Sequence, residues 1–143
     1  MKKQNTIRLL RTSYWTGAII DAIVAIQLLL PNFWASFNNL TNYTQSTTIN
    51  YALGIASALM FGWTALLIWA DRKPLERKGV LLLTAFPVVI GLALNNIYAI
   101  IEGVRPLQDT IPELGLQCTL IVLFTASYLI AKKEEKQVTA NTK

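Results

Sequence analysis

Four long apolar blocks run through this 143-residue chain, each closed by charge or proline. A helix rises 1.5 Å per residue, so about 20 apolar residues cross the ~30 Å hydrocarbon layer. Inside that layer every backbone N–H and C=O must be paired, which leaves helices and closed barrels as spanning structures. The blocks run from about Thr12 to Leu30, Ile49 to Ala70, Gly79 to Ile101 and Thr110 to Ala131. Pro31, which cannot continue a helix ladder, stops the first. Asp71-Arg72-Lys73, Glu102 and Lys132-Lys133 stop the others. Thr110, Pro112 and Glu113 predict a capping box at the start of the fourth helix. The expected fold is all-α: a polytopic membrane protein, a four-helix up-and-down transmembrane bundle forming a single membrane domain over residues 1–143.

Composition and charge agree with a membrane solvent. Only 15% of residues are charged and 53% are hydrophobic, whereas soluble domains average ~25% charged residues. The net charge of +5 is distributed in a way that excludes nucleic acid as the expected partner. Lys2, Lys3, Arg8 and Arg11 precede the first block, and Arg72, Lys73, Arg77 and Lys78 separate the second from the third. Lys132, Lys133, Lys136 and Lys143 follow the fourth, leaving Arg105 as the one basic residue elsewhere. Basic residues gather in cytoplasmic loops. This bias predicts a multi-pass protein of the cell (inner) membrane with both termini cytoplasmic and residues 31–50 on the opposite side. Asp21 within the first block, and Asn32-Phe33-Trp34 after it, read as a retained span rather than a cleaved signal peptide.

The uncharged stretch from Pro31 to Asn50 carries Phe33, Trp34, Phe37 and Tyr43, so it is expected to lie along the outer membrane surface. Asn39-Leu40-Thr41 and Asn42-Tyr43-Thr44 match glycosylation triplets, a pattern frequent by chance in Asn/Thr-rich segments.

Cys118 is the sole cysteine and histidine is absent, so no intrachain disulfide, no thiolate metal cluster and no imidazole ligand is available. No cofactor is expected. The informative residues are the polar ones inside the spans. Asp21 lies ~14 Å from the start of its block, near mid-membrane. A charge there costs ~2.5–3.5 kcal/mol, so it should face the bundle or a cavity. Gly17, Ala18, Ala22 and Ala25 surround it with small residues that let another helix approach. The second block carries Gly54, Ala58 and Gly62 at four-residue spacing, a close-packing ridge, with Thr64 near the same face.

In the third block Thr84, Pro87, Gly91, Asn95, Tyr98 and Glu102 fall at three- and four-residue steps and predict one polar helix face. Pro87 is expected to kink it. Thr125 lies on the Cys118, Ile121 and Tyr128 face of the fourth block. These faces predict one internal site built from Asp21, Asn95, Asn96, Tyr98, Thr64 and Thr125, open to the outer side.

Three functions fit. The first is binding, or helping to move, a small apolar or amphiphilic molecule in that polar cavity. The second is a structural or accessory subunit of a larger membrane complex or homo-oligomer, docking through its Gly/Ala ridges. The third is a lipid-modifying enzyme with Asp21 as acid/base, which ranks last for want of a second buried acid or a histidine. The expected partners are the lipid bilayer, a small hydrophobic ligand and other membrane chains.

Overall fold

The computed structural model describes residues 2–40 and 43–141, and every regular element among them is helical. Thr41, which ends the first glycosylation triplet, and Asn42, which begins the second, lie outside the described residues. Helix α1 covers Lys2–Leu29 and α2 Pro31–Phe37; α3 covers Thr47–Asp71 and α4 Gly79–Leu83. A π-helical segment, Thr84–Val89, joins α4 to α5, Ile90–Ile101, and α6 covers Leu107–Asn141. Four stretches are long and apolar enough to cross a membrane: Gln4–Leu29, Thr47–Asp71, Gly79–Ile101 and Leu107–Gln137. The chain is an up-and-down bundle of these four spans. Its basic end carries the start of α1, the end of α6 and the 72–78 loop; α2 and the 102–106 turn form the far end.

α1 and α6 begin earlier or end later than the apolar blocks, because helical bonding continues into the flanking charged turns. The capping box is corrected. α6 starts at Leu107, so Thr110 lies inside the helix, where its hydroxyl donates to the Pro106 carbonyl at 3.0 Å. Glu113 is drawn instead to Arg105, Oε2 to the guanidinium at 2.8 Å. A charge-assisted bond of that kind outweighs a backbone cap.

α1 packs most extensively along α3 and also along α6, while the third span packs on α6. The helices approach closely at Gly17, where an added Cβ would sit 3.0 Å from Leu67 Cδ1 and 3.1 Å from Phe124 Cζ. Tyr14, Leu67, Leu81, Ala85, Leu120 and Phe124 form the core around that point. Apolar burial gives helices in lipid no special drive to associate, so packing and interhelical hydrogen bonds matter more. Such bonds tie α1 to α3 and to α6, and α3 to the third span. Ser57 Oγ donates to the Ala25 carbonyl at 2.8 Å, and Ser13 and Ser127 share one at 2.8 Å. Trp63 Nε1 donates to Thr84 Oγ1 at 3.1 Å.

The basic end is tied more densely. The Tyr14 hydroxyl donates to the Arg77 carbonyl at 2.9 Å, and Asp71 accepts from Trp15 and pairs with Arg11 at 3.5 Å. Lys78 pairs with Glu135 at 2.7 Å. The Arg77 guanidinium lies 3.4 Å over the Trp69 ring and donates to the Trp69 carbonyl.

Candidate functional site

Asp21 takes the inward place expected of it. It is 8% exposed, and Gly17, Ala18 and Ala25 are buried on the same side of α1. The contacts of α1 fix its level. Gly17 meets Leu67 and Ala25 meets Ser57, so Asp21 stands midway, near the level of Gly62 on α3. Ser13 meets Ser127 and Gly17 meets Phe124, so the next turn brings Asp21 level with Leu120 on α6.

The third-span stripe is the main correction. Thr84 is buried, yet Pro87, Gly91, Asn95 and Glu102 are exposed and Tyr98 is 61% exposed. Asn95 and Tyr98 therefore lie on the outside of the bundle and share no cavity with Asp21. Pro87 is the physical cause. It has no N–H to give to the Leu83 carbonyl, and its ring presses on that oxygen. The chain widens to i→i+5 bonding over Thr84–Val89. One extra residue in a turn shifts the angular phase by about 100°. Everything beyond Val89 is rotated by that amount relative to a regular helix, so Asn96, 5% exposed, faces inward in place of Asn95.

Asn96 Oδ1 accepts from the Arg105 guanidinium at 3.2 Å, and the same nitrogen of Arg105 donates to Glu113 at 2.8 Å. The Arg105 side chain is 11% exposed. One turn deeper on α6 lies Gln117, 5% exposed. At 1.5 Å per residue Gln117 is ~4.5 Å, and Glu113 ~10 Å, from the Leu120 level where Asp21 sits. Thr125 is half-buried about one turn on the other side, toward the basic end. Thr64 is half-buried within ~3 Å of the Asp21 level, and its hydroxyl donates to the Met60 carbonyl at 2.9 Å.

The interior thus holds a polar column: Arg105, Glu113 and Asn96 at the far end, then Gln117, Asp21 and Thr125. Asp21 Oδ2, Asn96 Nδ2, Gln117 Oε1, Arg105 Nε and Thr125 Oγ1 are all buried and make no hydrogen bond to protein. Donors lie toward the far end, at Arg105 Nε and Asn96 Nδ2, and acceptors lie deeper, at Gln117 Oε1 and Asp21 Oδ2. Unmet donors and acceptors of this kind are the groups that bond a polar headgroup or water, and a carboxyl such as Asp21 can also exchange a proton.

Two members escape the sequence reading. Gln117 carries a signal that could have found it, being the only amide in the fourth block and four residues from Glu113. Arg105 reads as a loop cation; only the fold shows it turned onto Asn96 and Glu113. The small-residue ridge of α3 is also placed by the structure: Gly54, Ala58 and Gly62 are exposed, and a Cβ on either glycine would meet nothing within 4 Å. No protein-family model matches the chain, and no curated protein or solved structure is significantly similar to it.

Proposed function

We propose that this protein binds, or helps to move, a small amphiphilic molecule whose polar part lies along the interior column of Asn96, Gln117 and Asp21, bounded by Arg105 and Thr125. The carrying observation is the set of buried polar atoms without protein partners. Each unmet group costs about 1–3 kcal/mol. Four or five of them rival the ~5–15 kcal/mol that keeps a domain folded, so a non-protein partner is what balances the column. The acceptors at Asp21 and Gln117 and the donors at Asn96 and Arg105 favour a molecule carrying both kinds of group.

Native mass spectrometry of the purified protein in maltoside micelles tests this. Wild type should retain a small-molecule adduct, which Asp21→Leu and Gln117→Leu lose and Asn95→Leu keeps. The same adduct in the Asp21→Leu/Gln117→Leu double variant sinks the reading.

A second reading rests on the outward ridge of Gly54, Ala58 and Gly62. A small-xxx-small face lets two helices approach closely. Under that reading the chain is an accessory subunit or a homo-oligomer, and α3 is its docking face. Cysteines at Ala58 in a Cys118→Ser background should then cross-link between copies in native membranes. A monomer by both cross-linking and mass removes self-association. For either reading we place the basic end in the cytoplasm, supported by four basic residues in each of its three segments against Arg105 alone elsewhere.

A further inference from the structure

At the far end, outside the interior column, lies a groove of about 450 Å³ between the α2 region and the turn that follows α5. Two backbone features shape it. Asn39 adopts a positive φ of 50° after α2 and carries the chain back so that the Leu40 N–H donates to the Ala35 carbonyl. Gly103, at φ 68°, ends α5 with Val104 N–H donating to the Ala99 carbonyl at 2.9 Å. That is the left-handed glycine cap typical of helix ends. These turns bring Leu40 and Val104 to the walls with Ile49, Trp34, Tyr43 and Glu102.

The chemistry of the walls is specific. The Trp34 and Tyr43 rings meet edge to face with centroids 6.2 Å apart. Aromatic faces carry negative charge density and attract organic cations, most strongly at Trp. Glu102 adds a full negative charge at the C-terminus of α5, where the helix dipole is already negative and an acid is unfavourable. A bound cation offsets both. Among the described residues no basic side chain lines the groove. Neighbouring Arg105 is turned away onto Glu113 and Asn96. The buried Tyr43 hydroxyl has no hydrogen-bond partner, an independent sign of unmet polar capacity at the groove. Leu40, Ile49 and Val104 supply hydrocarbon beside the cage.

We infer that this groove binds an alkylammonium group joined to a hydrocarbon chain, with Trp34 and Tyr43 against the cation and Glu102 as its counter-charge. The same group occurs on a choline lipid headgroup and on a free amphiphilic cation. The test is calorimetric titration of hexyltrimethylammonium into the full-length protein in maltoside micelles. Wild type should show saturable binding, weakened at least tenfold by Glu102→Gln and by Trp34→Leu, whereas Trp34→Phe keeps much of it. A neutral probe with carbon in place of the ammonium nitrogen should not bind. Dihexanoylphosphatidylcholine that competes with the cation identifies a lipid headgroup as the source; a cation that binds without such competition identifies a free molecule. Absence of saturable binding by either probe, or undiminished affinity in folded Glu102→Gln, overturns the assignment. Should Trp34→Leu fail to fold, Glu102→Gln alone decides. The interior column contributes no residue to this experiment, so the two sites stand or fall separately.

Discussion

Gly17 is tightly enclosed: an added Cβ would lie 3.0 Å from Leu67 Cδ1 and 3.1 Å from Phe124 Cζ, a few tenths of an ångström inside ordinary contact. Alanine there needs both the Leu67 end and the Phe124 ring to give slightly, whereas valine pushes α1 off both neighbours. Gly17→Val is expected to destabilise by about 1–3 kcal/mol, read as a lower midpoint in thermal unfolding in micelles. The Ser13–Ser127 bond should be worth less. Double-mutant cycles in membrane bundles average about 0.6 kcal/mol, and the Ser13→Ala/Ser127→Ala cycle should give a coupling of that order. At Asp21, Asp21→Asn keeps shape and hydrogen bonding and should leave folding intact. Asp21→Leu should lower the unfolding midpoint if the carboxylate bonds within the column; equal midpoints would remove that structural role.

Helix Ile90–Ile101 shows what could be read from the residues and what could not. Its apolar length and its end at Glu102 were legible because they depend on composition and charge alone. Its rotation was not. A helical wheel carries one phase through a span, and the π-helical segment at Thr84–Val89 breaks that phase, exchanging Asn95 for Asn96. Asp21 was legible because α1 keeps a regular phase through Gly17 and Ala25. The role of Glu113 was hidden because its partner, Arg105, reaches it only once α5 and α6 are folded together. A nitroxide scan tests the phase directly. Oxygen accessibility should be high for a label at Asn95 and low at Asn96 in wild type. In Pro87→Ala, where the missing donor is restored, the difference should shrink or reverse. An unchanged difference would mean that the wide turn does not depend on the proline.

Taken whole, the molecule divides its charge between its ends. The basic end carries twelve Lys and Arg residues, while residues 102–113 carry Glu102, Asp109 and Glu113 against Arg105. With the basic end in the cytoplasm, Gln45→Cys in a Cys118→Ser background should react with an impermeant maleimide added to intact cells, and Lys133→Cys only after the cells are opened. The reverse pattern would invert the orientation. The bonds between helices are also unevenly placed. Near the basic end Tyr14 reaches the 72–78 loop, Asp71 gathers Arg11 and Trp15, and Lys78 reaches Glu135 on α6. At the far end the bonds stay within pairs, Ser57 with Ala25 joining α3 to α1, and Arg105 with Asn96 and Glu113 joining the third span to α6. In mechanical terms this is a pair of tweezers. The two helix pairs are riveted together at the basic end and cross-braced separately beyond it, so any rotation there would show its widest displacement at the tips.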